Sequence, residues 1–189
     1  MFKIVFRLGG WKVTHNISNE VNKCVVVVAP HTSNWDFVYG MGAVRFMKLH
    51  PRFAIKKEWL RFPFKRLMIK CGALAIDRDA KNIAGEQKGA VESMAELFNH
   101  HEILRLVITP EGTRSRREKW KTGFYYVALK ANVPIGLGFM DYEKRECGIF
   151  KVIYPTGDFK KDMKEIMDFY KNIKGKHPEN FSVDVELSQ

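Results

Sequence analysis

Residues 25–28 are four consecutive valines, β-branched with no polar interruption, and Pro30 follows almost at once. Such a run predicts a strand buried on both faces and closed by a turn. Residues 33–49 are apolar on several faces and free of proline, which predicts a buried or membrane-contacting helix capped by Ser33 or Asn34. Short strands are then predicted at 53–55 and 73–76, with a short basic, apolar helix at 64–70 between them. Within 85–98, Val91, Met94, Ala95 and Phe98 recur at the spacing of one helix face. A strand over 104–108 stops at Thr109-Pro110, a helix follows over 123–130, and further strands begin at 134–137 and 150–154. Met163, Ile166, Met167 and Tyr170 repeat the helical spacing, and 181–187 is expected to add an edge strand. Strands alternating with helices predict an α/β fold: one domain over residues 1–189, with a largely parallel central sheet flanked by helices. There is no internal repeat, low-complexity tract or Pro/Gly/Ser-rich linker to divide it.

Charge changes this picture more than composition does. A chain of 189 residues with 46% apolar and 28% charged side chains can bury a real core, which excludes a mainly disordered or collagen-like chain. Its net charge of +11 favours an anionic partner, whether nucleic acid, lipid surface, acidic protein or phosphorylated substrate. Cys24, Cys71 and Cys147 are widely spaced and form no C-x-x-C pair, so reduced thiols and a cytoplasmic location are expected. No run approaches the length of a membrane-spanning helix, and Lys3 and Arg7 interrupt any leader-like stretch.

Three polar clusters each follow a predicted strand: His31-Thr-Ser-Asn-Trp-Asp36, Asp77-Arg78, and Glu111-Gly112-Thr113-Arg114. In a parallel sheet all three emerge at the same carboxyl edge, where α/β proteins assemble their sites. In H-x4-D, a turn can return the Asp36 carboxylate to the His31 ring, fixing its tautomer and stabilising the imidazolium that forms when the ring takes a proton. Standing alone, the spacing reads more simply as a strand-end histidine and a helix-capping aspartate. Asp77-Arg78 alone reads as a structural ion pair. The third cluster joins a tight Gly turn, a carboxylate, a guanidinium and hydroxyls, which suits a phosphate gripped by Arg114; its plainer reading is a solvated basic loop, since Arg116, Arg117, Lys119 and Lys121 follow. His100-His101-Glu102 has no second ligand pair at a metal-site spacing, and the glycines form neither a Walker loop nor a dinucleotide fingerprint, so no metal or cofactor is expected.

Four ordered blocks across residues 25–138 nevertheless carry a resemblance. His31-x4-Asp36, Ile55-Lys56-Lys57-Glu58-Trp59 with Pro63 and Gly72-Ala-Leu-Ala-Ile-Asp77-Arg78, Thr109-Pro110-Glu111-Gly112-Thr113-Arg114-Ser115, and Val133-Pro134-Ile135 together resemble the glycerolipid acyltransferases typified by lysophosphatidic acid (1-acyl-sn-glycerol-3-phosphate) acyltransferase. The resemblance implies that His31 is a general base oriented by Asp36. Lys56, Lys57, Arg78 and Arg114 would hold an acceptor phosphate, with Glu111, Gly112 and Thr113 organising the site. It implies transfer of a fatty acyl group from an acyl-CoA or acyl-carrier-protein thioester, a substrate rather than a cofactor, to a lysophospholipid hydroxyl, without nucleic acid as partner. Ala75, Thr109 and Gly136 depart from the family's usual aromatic, Phe and branched residue, and they bear on the acceptor. Alternatives are acylation of a lyso-ornithine lipid, a thioesterase, or a non-catalytic basic lipid- or nucleic-acid-binding protein.

Two segments mix large apolar residues with cations. Residues 1–15 set Phe2, Ile4, Val5, Phe6, Leu8 and Trp11 among Lys3, Arg7 and Lys12, and 56–70 does the same around Trp59 and Phe62. Both suit an anionic membrane surface, predicting a peripheral protein on the cytoplasmic face. The plainer expectation for each is core packing.

Overall fold

The valine run becomes the middle of a seven-stranded sheet. The computed structural model describes residues 2–15, 21–56, 65–76 and 89–188. Its strands are β1 (Lys12–His15), β2 (Lys23–Val28), β3 (Pro51–Lys56), β4 (Ala73–Ile76), β5 (Leu104–Ile108), β6 (Ile135–Asp141) and β7 (Glu146–Ile153), in the order β1-β7-β6-β2-β5-β3-β4. β6, β2, β5, β3 and β4 run parallel, β7 turns back antiparallel along β6, and β1 pairs parallel with β7. The fold is therefore α/β with a largely parallel sheet, as the alternation predicts.

Period-two alternation along β2 feeds two cores. Val25 and Val27 face a layer made by α4 (Ala90–Glu96), α5 (Gly123–Ala131) and α6 (Phe159–Tyr170), among Phe98, Leu106, Phe124 and Met163. Cys24 and Val26 face the opposite layer, where α1 (Phe2–Leu8) lies on α2 (Trp35–Phe46) and contributes Phe6 beside Ala43 and Met47. A Cβ on Gly42 would stand 2.7 Å from the Phe6 Cβ, so the missing side chain is what lets α1 lie so close on α2. All four residues expected on the inner face of α6 are fully buried. A short α3 (Lys65–Lys70) precedes β4.

Four expectations change. Residues 181–187 form no strand: the Asp184 carboxylate instead accepts the Trp120 and Leu187 N–H groups at 3.0 and 3.4 Å, while Phe181, Val183 and Leu187 pack on the core. The edge beside β7 is taken by β1, whose K-V-T-H gave too little apolar pattern to predict. The helix expected over 33–49 is shorter, running Trp35–Phe46, and Lys48 turns the chain with φ 55°. The N-terminal segment divides: Phe6 and Trp11 are core residues, whereas Ile4 and Leu8 are 62% and 83% exposed. Of the second segment, residues 57–64 lie outside the described residues; Ile69 on α3 is exposed beside Lys65, Arg66 and Lys70. Among the described residues, no helix is long and apolar enough to cross a membrane.

Candidate active site

Because five neighbouring strands run parallel, the turns that follow β2, β5 and β6 open at one edge of the sheet, where β3 and β4 also end, at Lys56 and Ile76. β2 carries the chain through Pro30 into His31, and α2 starts at Trp35. This short connection brings Asp36, in the first turn of α2, back under the histidine: His31 Nδ1 lies 3.1 Å from Asp36 Oδ2. A carboxylate only accepts, so Nδ1 carries the hydrogen, and in the neutral tautomer this selects, the lone pair is on Nε2. The imidazole is 18% exposed and the carboxylate 4%. The imidazole can therefore be reached while the carboxylate stays dry.

Asp36 is the hub of the turn. Its Oδ2 also accepts the Thr32 and Ser33 N–H groups, both at 2.9 Å, and its Oδ1 accepts the Tyr142 hydroxyl at 2.6 Å. Burial pushes the Asp36 carboxyl up, but the donors from His31, Tyr142 and Ser33 outweigh it and hold it below the usual carboxylate value. At the start of α2, Ser33 Oγ accepts the Trp35 N–H at 3.2 Å, a capping bond, and Asn34 makes no side-chain cap bond.

The turn after β5 supplies Glu111. Its carboxylate points inward and accepts the His31 backbone N–H at 3.1 Å from each oxygen. Burial pushes it up to about 7, against lowering by that bond and by the His31 charge, while the Asp36 charge adds to the rise. Gly112 has φ 64° and gives its N–H to Thr109 O at 3.2 Å, so this amide is not available to an oxyanion. A Cβ at Gly112 would meet Lys121 Nζ at 2.7 Å: the lysine side chain lies across the turn, and its backbone N–H bonds Pro110 O at 2.9 Å. Thr113 Oγ1 accepts the Ser115 N–H at 3.3 Å, and Arg114 is exposed, with no ion pair among the described residues.

The structure thus brings together His31, Asp36, Glu111 and the Gly112–Arg114 turn. Lys56 ends β3 at the same edge, opposite Ile76 in the ladder. Lys57 and Arg78 lie outside the described residues.

Sequence reasoning missed Tyr142, Lys121 and the segment after α6. That segment reaches the histidine turn from behind: His177 N–H bonds Thr32 Oγ1 at 3.1 Å, Gly175 packs on Pro30 and Thr32, and Lys176 Nζ stands 5.1 Å from the centre of the Trp35 ring. Tyr142 follows β6 directly, so the rule that found the other clusters would have found it had β6 been read through to Asp141. Outside this edge, His101 Nδ1 lies 2.8 Å from Leu97 O, a helix-end contact.

Comparison with known proteins bears on this edge directly. The family model described as Acyltransferase matches residues 12–136, which takes in His31, Asp36 and Glu111 to Arg114 and stops short of Tyr142. No curated protein matches the chain. Among solved structures it is similar to the crystal structure of the 1-acyl-sn-glycerophosphate (LPA) acyltransferase PlsC from Thermotoga maritima, with 19% sequence identity, a TM-score of 0.49, and coverage of 82% of this chain and 67% of that one.

Proposed function

Since the chain belongs to the acyltransferase family, we propose that it moves a fatty acyl group from an acyl-CoA or acyl-carrier-protein thioester to the free hydroxyl of a lysophospholipid, with 1-acylglycerol-3-phosphate as acceptor. The observation that carries the reading is the His31 Nδ1–Asp36 Oδ2 contact of 3.1 Å on a partly exposed imidazole. With Nδ1–H turned to Asp36, Nε2 takes the proton of the acceptor hydroxyl as its oxygen attacks the thioester carbonyl. The tetrahedral oxyanion then collapses, the C–S bond breaks, and the imidazolium returns its proton to the departing thiolate. Asp36 stays ionised throughout and stabilises the imidazolium. General base catalysis of this kind is worth about 10²- to 10⁴-fold.

Arg114, with Lys121 beside Gly112, supports an anionic headgroup on the acceptor, because a guanidinium grips phosphate through two parallel hydrogen bonds. Lys56, Lys57 and Arg78 join this phosphate-holding set on sequence grounds. A membrane surface is the natural source of such an acceptor. A cleft of about 820 Å³ lined by Lys3, Arg45, Lys48, His50, Arg52 and Lys70 opens where β3 and β4 begin, at the sheet edge opposite His31; its cations, with exposed Ile4 and Ile69, support peripheral docking on anionic lipid rather than a route for the acceptor.

Incubating the purified protein with a labelled acyl thioester, with and without 1-acylglycerol-3-phosphate in anionic vesicles, tests the reading. Acceptor-dependent diacyl product is expected. Acceptor-independent free fatty acid would make the protein a thioesterase, and neither product would leave only a basic binding protein.

A further inference from the structure

Asp36 Oδ2 is crowded with donors, from the His31 ring and from the Thr32 and Ser33 amides, whereas the hydrogen bond recorded at Oδ1 comes from a residue 106 positions away. That residue is Tyr142, and its hydroxyl donates at 2.6 Å, short for a neutral donor and typical of O–H to a carboxylate. The ring has little freedom to leave. Trp11 packs edge-on against it with centroids 4.8 Å apart, Tyr39 packs at 6.2 Å, and its own backbone N–H bonds Lys174 O at 2.8 Å. A rigid aromatic wall holds a phenol against the far oxygen of the aspartate that orients the histidine.

We propose that Tyr142 is a positioning residue that sets the basicity of the His31–Asp36 pair through its hydrogen bond to Asp36 Oδ1. The proposal rests on the general-base reading of His31. By donating to Oδ1, the phenol draws carboxylate charge away from the oxygen that faces Nδ1–H. Less charge there means a less tightly held imidazolium, so the ring is free of its proton, and ready to act, at lower pH. Remove the hydroxyl and the other donors keep Asp36 ionised, but the full charge now faces the ring. The acid limb of kcat/KM then moves to higher pH.

Other groups face this pair and must be kept apart from the effect. Glu111 stands after β5 with Lys121 across its turn, and Tyr170 of α6, whose hydroxyl donates to Val27 O and Gly138 O, feels the Glu111 charge. Tyr39 belongs to α2, and the segment after α6 brings Lys174, Lys176 and His177. Asp141 Oδ1 accepts the Glu143 and Lys144 N–H groups, and its Oδ2 lies 3.9 Å from Lys144 Nζ. Glu111, pushed up to about 7 by burial, shares the window of the acid limb, so the profile is also recorded on a Glu111→Gln background.

The experiment compares pH profiles of kcat/KM for wild type, Tyr142→Phe and protein carrying 3-fluorotyrosine at position 142, a more acidic phenol of nearly the same shape. For Tyr142→Phe the expected result is an acid limb raised by about half a pH unit or more, with kcat reduced about tenfold. Fluorotyrosine, a stronger donor, should move the limb the opposite way, and it answers the question even if Tyr142→Phe folds poorly. Loss of amplitude with an unmoved limb in both proteins would overturn the proposal and leave Tyr142 a packing residue. His31→Ala separates the two levels. If it is inactive while the Tyr142 variants keep the wild-type limb, only this inference falls; if it is active, the general-base reading falls with it.

Discussion

The buried carboxylate of Glu111 accepts the backbone N–H of His31 through both oxygens at 3.1 Å, so the turn after β5 holds the turn after β2 by its main chain. The histidine is thereby fixed from two sides, by Asp36 at its ring and by Glu111 at its backbone.

Burying the Glu111 carboxylate has a cost that depends on pH, which the bond to His31 offsets only in part. Burial raises Glu111 from the ordinary 4.5 to about 7, so between those values the folded protein keeps a proton that the unfolded chain gives up. The favourable term is present in full below pH 4.5 and is lost as pH rises through the window, an effect of order 3 kcal/mol. Glu111→Gln keeps an acceptor for the His31 N–H and cannot titrate. Its melting temperature, measured against wild type, should therefore gain steadily from pH 4.5 to pH 7, the shared titrations cancelling in the difference. Parallel stability curves would contradict a buried, proton-sharing Glu111.

Substituting the two members of the pair should separate catalysis from folding. On the proposed mechanism His31→Ala removes the base, and it is expected to lower kcat by ~10²-fold or more with little change in melting temperature, because the ring is part-exposed. Asp36→Asn is expected to be as inactive and also less stable by about 1–3 kcal/mol, since its Oδ2 accepts the Thr32 and Ser33 amides as well as the ring. Calorimetry beside steady-state kinetics checks both halves.

At Arg114, lysine keeps the charge and loses the planar fork. Arg114→Lys should raise KM for a phosphate-bearing acceptor more than KM for the thioester. A change confined to the thioester would reassign Arg114 to the donor's phosphates.

For membrane docking, the exposed pair on α1 is the informative target, since Phe6 and Trp11 serve the core. Ile4→Ser with Leu8→Ser should weaken co-sedimentation with anionic vesicles while leaving the melting temperature unchanged, and high salt should weaken it further. Binding indifferent to lipid charge and to both substitutions would remove α1 from the interface.

How much of this could be seen beforehand follows physical range. β2, β4, β5 and α6 were legible because their signals are local: a β-branched run, strand ends marked by Pro30 and Pro110, apolar residues at helical spacing. His31, Asp36 and Glu111 were legible because each lies just past such a strand. β1 was not, because K-V-T-H carries too little apolar pattern, and the non-strand at 181–187 was not, because its alternating apolar residues pack on the core while Asp184 takes the Trp120 N–H, a tertiary contact the local pattern does not show. Tyr142 was hidden for a related reason. Gly136 and Gly138 weaken the strand signal of β6, yet a Cβ at Gly138 would press to 3.0 Å on Val28, so this glycine relieves crowding where β6 pairs with β2 on the way to Tyr142.

The pairing of β1 with β7, in which Lys12 lies opposite Glu146, has a consequence for how the chain is made. On the ribosome β1 leaves the exit tunnel long before its partner exists, and β7 must first have folded back along β6. Through most of synthesis the four-residue β1 is an unpaired edge, and its pairing closes a loop spanning most of the chain, a contact of the slow, non-local kind. Its shortness and the charge of Lys12 make it a poor template for a neighbouring nascent chain. The edge that is hardest to read in the sequence is thus also the one whose waiting time the sequence makes safe.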